Sequence, residues 1–363
     1  MEMSADFASP PMITANLPGI GGRIKLYPED FGVEEVPAYE PSGSGDFLYL
    51  WIEKRDMGAE YFTRQIAKRL DISPGEVGTA GLKDRRAVTR QMVSLPISVE
   101  PQLSQLDGDG IRVLRTGRHS NKLRPGHLRG NRFRILIRDP DPAVSERIVP
   151  ILARLQSDGL PNYYGPQRFG RDGETARLGF ALLRREPPPE SPDGRRPNLP
   201  SPFLRKLALS AAQAALFNQI LAQRLSDGLL RRVLPGDVMA KWPFGGMFVA
   251  EDLAQEQARF DRREIVHAGP IFGRKTFAAV GEAAARETLV LQRADLPPNA
   301  FSGFGKLVQG TRRHNLIYVD DLKAEVEGDG LRLSFFLPAG SYATMLLQEI
   351  MKAAAASADD ENG

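Results

Sequence analysis

The sequence predicts an α/β protein with a mixed, largely antiparallel sheet. In residues 131–138, apolar side chains alternate with arginines, and this period of two is typical of a strand with one buried and one open face. Segments with helical spacing of apolar residues interrupt such strands, and residues 59–70 are the first of them. The chain has 363 residues, more than one hydrophobic core usually accommodates, so we expect two domains.

The same alternation predicts further strands in the first part of the chain. Between the first two strands, residues 37–45 contain Pro, Ser and Gly and are predicted to form a hairpin loop. Residues 1–22 show no such pattern, so we expect a flexible tail there. The predicted strands cover residues 23–36, 46–53, 77–81, 89–95, 110–115 and 131–138.

The later part of the chain is predicted to combine helices with short strands. Residues 186–202 are rich in proline and are predicted to form a loop or linker, whose final Ser-Pro pair is typical of a helix start. The acidic residues 353–363 are expected to form a second flexible tail. The predicted helices are 143–158, 201–227, 281–287 and one that starts at 341, and the predicted strands are 316–319, 323–326 and 331–337.

Composition excludes several classes of protein. The chain has no cysteine, so it forms no disulfide and has no thiolate metal site or thiol nucleophile. Its four histidines show no metal-ligand spacing. No apolar run is long enough to cross a bilayer, and the N-terminal residues lack the pattern of a signal peptide. We therefore expect a cytoplasmic protein without a metal site.

Positive charge is distributed unevenly along the chain. The net charge is only +3, but residues 111–138 contain nine Lys or Arg residues and no Asp or Glu. Such a run creates a local field suited to a polyanion such as RNA. The same run is also typical of a solvated basic surface, so composition leaves both interpretations open.

One aspartate stands out because of its neighbours. Asp84 lies between Lys83 and Arg85, in the predicted loop between strands 77–81 and 89–95. Cations on both sides favour its charged form. An ionised carboxylate on a short loop can act as a nucleophile while the cations hold a phosphate-bearing substrate. An aspartate in such a loop is also a common turn former or salt-bridge partner, and the local pattern does not decide between these roles.

Nine segments in a fixed order resemble the TruD family of tRNA pseudouridine synthases. The resemblance extends over residues 23–352, and the order of the segments makes it specific although each segment alone is weak. The segments are 28–37 (PEDFGVEEVP), 80–91 (AGLKDRRAVTRQ), 129–133 (RGNRF), 162–170 (NYYGPQRFG), 207–221 (LALSAAQAALFNQIL), 234–238 (LPGDV), 269–273 (GPIFG), 310–313 (GTRR) and 335–349 (FFLPAGSYATMLLQE).

The resemblance implies a fold and an activity. The sheet would be of the pseudouridine-synthase type, in a catalytic domain formed by residues 23–158 and 312–352, with an inserted α/β domain at residues 159–311. The implied reaction is the isomerisation of a uridine to pseudouridine in tRNA, usually uridine 13. Because this reaction conserves all atoms, it requires no cofactor and no metal. The implied partner is tRNA, and no membrane is involved.

The resemblance also implies residues of the active site. Asp84 matches the catalytic aspartate of the family, and whether it adds to C1′, adds to C6 or helps to deprotonate C2′ stays open. Asn131 and Phe133 match pocket residues in a Gly-Asn-x-Phe segment, and an amide beside an aromatic face suits a base that has left its stack. Phe335 matches an aromatic residue near the site, with the adjacent Phe336 as the alternative.

Three charged residues complete the implied site. Glu35 matches an acidic residue near it, while Lys83 and Arg85 either tune Asp84 or touch phosphate. The resemblance places residues 162–170 at the entry to the inserted domain, where they either anchor the junction between the domains or bind RNA. Two other functions stay open as well: a non-catalytic RNA-binding protein that kept the fold, and a hydrolase that uses a carboxylate to cleave a nucleoside bond.

Overall fold

The computed structural model describes residues 10–187 and 200–352, which form two compact units. Each unit is built from segments that are distant in sequence. The first unit comprises Leu17–Gln156, Val319–Ser341 and residues 350–352, and the second comprises residues 10–16, the described part of Ser157–Tyr318 and Tyr342–Glu349. The assignment of catalysis to residues 23–158 and 312–352 stays a prediction.

Helices and strands are interspersed along the described chain, and α3 and α5 are helices that were not predicted from the sequence. The helices are α1 (Ala59–Arg69), α2 (Val144–Asp158), α3 (Glu174–Arg184), α4 (Pro202–Ser226), α5 (Leu253–Asp261), α6 (Gly281–Arg293) and α7 (Ala343–Met351). The strands are β1 (Phe31–Pro37), β2 (Phe47–Arg55), β3 (Gly78–Thr79), β4 (Val88–Pro96), β5 (Ile111–His119), β6 (Leu128–Arg138), β7 (Leu160–Pro161), β8 (Val238–Lys241), β9 (Met247–Val249), β10 (Ile265–Ile271), β11 (Thr311–His314), β12 (Leu316–Ile317), β13 (Asp320–Glu327) and β14 (Gly330–Pro338).

The first unit is organised around one sheet. Its strand order is β13-β14-β6-β1-β4-β2-β5, and β3 is added beside β4. β1 runs parallel to β4, whereas the other pairings described in this sheet are antiparallel. The sheet therefore confirms the predicted mixed, largely antiparallel arrangement.

The predicted hairpin between the first two strands is wrong. β1 pairs with β4 and β6, while β2 lies on the other side of β4. A tight hairpin loop has about two to five residues, whereas residues 38–46 provide enough chain to pass over one strand. The first strand also starts later than predicted, because Pro28 has no N–H for a strand ladder and instead opens a 3-10 turn at Pro28–Asp30.

Helix α1 packs its apolar stripe against the sheet of the first unit. Phe62 and Ile66 are buried together with Leu50 of β2 and Val93 of β4. The i, i+4 spacing of the two helical residues, which predicted this helix, places both on one face. The packing fixes β2 and β4, and β4 follows directly after the loop that carries Asp84.

The described part of the predicted N-terminal tail is ordered by contacts with the C-terminal helix. The backbone N–H groups of Ile13 and Thr14 each donate to the carboxylate of Glu349 over 3.0 Å. The N–H of Ile20 donates to the carbonyl of Ile350 over 3.1 Å, and the Ile20 side chain is fully buried. The expectation of flexibility is therefore wrong for residues 10–22, because backbone contacts to a remote segment leave no periodic pattern in the sequence.

The second unit has its own core, built around α4. This helix confirms the predicted helix at residues 201–227. It crosses α3 at Gly179, where any side chain would meet the carbonyl oxygen of Ala208. A small sheet in the order β11-β10-β8-β9 and the strand pair β12-β7 complete this unit.

Residues 162–170 make their contacts inside the second unit. The guanidinium of Arg313 donates to the carbonyl oxygen of Asn162 over 3.0 Å and to its side-chain oxygen over 2.6 Å. It also lies over the ring of Tyr164, at 4.2 Å from the ring centroid. These contacts join two of the nine motif segments within the second unit, and the choice between the two roles stays a prediction.

The structure does not test the predictions for the Pro-rich linker and the acidic tail. Most of the Pro-rich stretch, at residues 188–199, and the acidic tail at 353–363 lie outside the described residues. Within the ranges that are described, no helix has both the length and the apolar character needed to span a bilayer.

Candidate active site

Asp84 lies in the middle of the loop between β3 and β4. The two strands pair antiparallel through Gly78 and Ser94, so the ends of the loop are held in one sheet. The side chain of Asp84 is 42% exposed, and Arg85 after it is exposed too. The preceding residue, Lys83, is buried. The loop therefore presents the carboxylate to solvent while it turns the preceding cation inward.

The ionic partner of Asp84 is Lys25, a residue that sequence analysis did not single out. The Lys25 Nζ atom lies 2.8 Å from Oδ1 of Asp84. It also lies 4.4 Å above the centroid of the Phe31 ring, within the range of a cation–π interaction. Lys25 precedes β1, so the first strand brings both the cation and the ring to the Asp84 loop.

Lys83 forms a buried ion pair with Glu35. The Lys83 Nζ atom lies 2.6 Å from Oε2 of Glu35, and the two side chains are only 3% and 1% exposed. The other carboxylate oxygen of Glu35 accepts a hydrogen bond from the N–H of Met92 over 3.3 Å. Glu35 and Lys83, two of the predicted site residues, are thus brought together, but Lys83 is bound to Glu35 and not exposed for a phosphate.

Lys54 holds the backbone of the Asp84 loop, and the sequence analysis did not single it out either. Its side chain is fully buried, and its Nζ donates to the backbone carbonyl of Asp84 over 2.9 Å and to the carbonyl of Met57. Burial lowers the pKa of Lys54 from 10.5 to about 8, although the charge of Asp84 acts in the opposite direction. A signal existed in the sequence, since Lys54 falls on the apolar phase of a strand that otherwise carries Leu50 and Ile52 on that face.

Three phenylalanines form a connected ring cluster in the sheet. Phe133 of β6 stacks on Phe335 of β14, with centroids 5.1 Å apart and planes at 18°. Phe31 of β1 meets Phe133 edge-on at 6.3 Å. The two predicted rings are therefore brought together, and Phe31 is added to them. Phe336 lies instead beneath the guanidinium of Arg132, 6.0 Å from the ring centroid.

Asn131 lies next to this cluster and carries an unsatisfied polar atom. Its Oδ1 is buried without a hydrogen-bond partner, and the same is true of Thr89 Oγ1 and Gln91 Oε1. Asn131 is the register partner of Glu35 between β6 and β1. Buried polar atoms without partners are rare in proteins, so this part of the sheet has hydrogen-bonding capacity to offer.

Five of the nine basic residues in the run at residues 111–138 form ion pairs in the fold. Its arginines pair with acids from elsewhere in the first unit, for example Arg112 with Glu53 on the neighbouring β2, over 2.9 Å. The charge of the sequence run is therefore partly compensated by these acids. Comparable pairs join Arg115 to Glu40, Arg118 to Glu100, Arg132 to Asp321 and Arg138 to Asp30.

Among the described residues, no group of three or more His, Asp or Glu side chains is arranged to hold a metal ion. The described site instead consists of a carboxylate with a lysine partner, a buried ion pair, a buried lysine and three aromatic rings.

The chain is similar to known proteins over almost its whole length. A family model described as tRNA pseudouridine synthase D (TruD) matches residues 11–189 and 198–350. The tRNA pseudouridine synthase D of Anaeromyxobacter sp. strain Fw109-5 is 45% identical over 345 residues, which cover 95% of this chain and 97% of that protein. A protein of the same name from Thermus thermophilus is 43% identical, with coverage of 94% and 92%. The chain belongs to the TruD family of tRNA pseudouridine synthases, a family of isomerases.

A solved structure has the same fold. A crystal structure assigned to a tRNA pseudouridine synthase D of Methanosarcina mazei superposes with a TM-score of 0.78 and covers 97% of this chain and 98% of its own. The two sequences are 23% identical, so this comparison supports the fold alone. It confirms the predicted type of sheet.

Proposed function

We propose that this protein isomerises a uridine of tRNA to pseudouridine, with uridine 13 as the target and Asp84 as the catalytic carboxylate. The observation that carries the proposal is the chain of contacts from Asp84 through Lys25 to the rings of Phe31 and Phe133. It joins an ionised, solvent-accessible carboxylate to an aromatic cluster within one sheet. Both are needed by an enzyme that acts on a base and its ribose.

The reaction exchanges one bond of the nucleotide for another. The bond between N1 of uracil and C1′ of ribose breaks, a bond between C5 and C1′ forms, and the proton lost from C5 is balanced by one gained at N1. No atom or electron enters or leaves. Asp84 can assist by adding to C1′, by adding to C6 or by removing the proton from C2′. All three routes need an oriented oxygen, and the contact with Lys25 at 2.8 Å orients the carboxylate of Asp84.

The remaining residues would receive the base. The target uridine must leave its stack to reach Asp84. Phe133 and Phe335 are each less than 10% exposed because they stack on each other, so we assign them to the apolar floor of the site. The unsatisfied Oδ1 of Asn131 would accept a hydrogen bond from the N3–H of uracil. Glu35 and Lys83 would hold the loop to the sheet, and Arg85, exposed beside Asp84, would contact a phosphate.

The proposed substrate also implies a place of action. A protein that modifies tRNA and recognises its phosphates would bind RNA in a salt-dependent way. We therefore propose the cytoplasm, where tRNA is found, as its location.

A direct assay tests this function. Unmodified tRNA transcript is incubated with the protein without any cofactor, and pseudouridine is mapped by chemical adduct formation and primer extension. We expect one modified uridine with the wild-type protein and none with Asp84→Ala. A matched control is Glu100→Ala, because Glu100 is 43% exposed and pairs with Arg118, much as Asp84 is 42% exposed and pairs with Lys25.

Each alternative gives a different result in this assay. Release of free uracil would identify a hydrolase, and binding without any product would identify a non-catalytic RNA-binding protein. Full activity of Asp84→Ala would leave the reaction in place and remove Asp84 from its proposed role.

A further inference from the structure

Leu82 is the most exposed large apolar side chain in the described parts of the chain. It is 86% exposed, whereas its neighbour Lys83 is buried. It lies two residues before Asp84, which is itself 42% exposed. Single exposed apolar residues are ordinary on protein surfaces, so the position of Leu82 and not its exposure alone needs an explanation.

The loop that carries Leu82 is held at several points. The N–H of Gly126 donates to the carbonyl of Ala80 over 2.8 Å, and the N–H of Asp56 donates to the carbonyl of Ala87 over 3.0 Å. Between these points Lys83 is fixed by its buried ion pair. The exposure of Leu82 is therefore a fixed feature of an anchored loop, and its side chain would be presented to a partner at little entropic cost.

The residues around Leu82 indicate what kind of partner it meets. Arg85 and Arg86 follow Asp84 in the same loop and are exposed, so the loop presents two arginines as well as the apolar side chain. Arginine pairs well with phosphate oxygens. An apolar tip with arginines beside it therefore fits a nucleic-acid strand, with phosphates on the arginines and bases against the leucine.

The chemistry of the site gives Leu82 a task, if the protein acts on uridine as proposed above. A base that leaves its stack opens a gap whose walls are the apolar faces of the neighbouring bases. Proteins that distort nucleic acids commonly insert Leu, Ile, Met or Phe between such bases. We propose that Leu82 enters the tRNA base stack at the place that the target uridine leaves, and thereby holds the uridine out for Asp84.

The first test compares rates on two substrates in single-turnover assays. One is the unmodified tRNA transcript, and the other is the same transcript with substitutions that open the helix next to the target uridine. Because alanine would bury less apolar surface in the base stack, Leu82→Ala should be about tenfold or more slower than wild type on the intact tRNA and much less affected on the opened one. Leu82→Met, which keeps an apolar wedge, should stay close to wild type. Val149→Ala, which alters a 64% exposed apolar residue of α2, is the matched control.

The second test detects the flipped state itself. In an Asp84→Asn background, 2-aminopurine placed next to the target uridine should brighten when the protein binds, because its stacking partner has left. Leu82→Ala in the same background should bind tRNA with similar affinity but fail to give this signal. An unchanged signal, or an equal slowing on both substrates, would overturn the role of Leu82. A wild-type protein that forms no pseudouridine would instead overturn the proposed function.

Discussion

Lys25 and Asp84 are 59 residues apart in the sequence, yet the Nζ atom of one lies 2.8 Å from Oδ1 of the other. Lys83, which is adjacent to Asp84, is instead buried against Glu35. The segment before β1 therefore supplies a cation to the carboxylate of Asp84. Lys25 also contacts the Phe31 ring, so it joins the carboxylate to the aromatic cluster.

Replacement of Lys25 should weaken catalysis more than binding. Lys25→Met removes the charge that orients Asp84, and loss of such an electrostatic contact near a reacting group costs about a hundredfold in rate. Lys25→Arg keeps the charge and should recover part of the loss. The check is the single-turnover rate of pseudouridine formation together with the tRNA dissociation constant. Lys25→Met at the wild-type rate would show that the pair has no catalytic role.

The buried pair of Glu35 and Lys83 should contribute strongly to stability. Removal of one member leaves an uncompensated buried charge, so Lys83→Met should lower the free energy of unfolding by about 3–5 kcal/mol. The double variant Glu35→Leu with Lys83→Met removes both charges and should be more stable than Lys83→Met alone. Urea denaturation measures these differences.

An exposed ion pair provides the control for that measurement. Glu29 and Arg55 are 2.6 Å apart but more than half exposed. Glu29→Gln should therefore lower the free energy of unfolding far less than Lys83→Met does. A similar cost for Glu29→Gln and Lys83→Met would contradict the importance of burial.

Lys54 should make stability depend on pH in a defined window. Below pH 8 this lysine is charged in both the folded and the unfolded protein, so folding bears the full cost of its burial. Its pKa is about 8 in the folded protein and ordinarily 10.5, so between these values the folded protein releases the proton first. The free energy of unfolding therefore increases as the pH rises from 8 to 10.5. The neighbouring charges are those of Asp84, Lys83 and Asp56.

The comparison with Lys54→Met isolates this effect. The free energy of unfolding of the wild-type protein minus that of Lys54→Met should increase from pH 8 to pH 10.5 and stay level below pH 8. Urea denaturation at a series of pH values gives this difference. A difference that stays constant across the window would mean that Lys54 keeps an ordinary pKa in the folded protein.

The sequence predicted those features that depend on local pattern. Alternation in β6 and helical spacing in α1 are local, and both elements are present where expected. The resemblance to a family also led to Phe133 and Phe335, which the structure stacks together. The two elements follow from local pattern without knowledge of strand order, and the role of the two rings in the site stays a prediction.

The features that were missed depend on strand order and on contacts between remote segments. The contact between Glu35 and Lys83 was not predicted. Glu35 lies beside the part of β4 where the pairing with β1 ends and the pairing with β3 begins, and there its carboxylate meets Lys83. The basic run at residues 111–138 looked uncompensated because its acidic partners, such as Glu53, lie on other strands. Lys25 was missed for the same reason, since only the fold places it beside Asp84.

The two adjacent phenylalanines of β14 should differ sharply in their effect on catalysis. Phe335 stacks on Phe133 in the proposed floor of the site, whereas Phe336 projects from the other side of the strand, beneath Arg132. Truncation of a buried phenylalanine costs about 3–5 kcal/mol of stability, so the milder Phe335→Leu is the better probe. We expect Phe335→Leu to lower kcat/KM for tRNA at least about tenfold, because the floor under the uracil loses its flat shape.

Phe336→Leu changes the same residue type one position along and serves as the control. This variant should leave kcat/KM close to the wild-type value, because the Phe336 ring packs over Gly130 and under Arg132 and is not part of the ring cluster. The unfolding midpoint of both variants shows whether a loss of activity follows from a loss of stability. If Phe336→Leu proves the more damaging of the two at equal stability, the site includes Phe336, and the aromatic residue of the family motif belongs one position further along this chain.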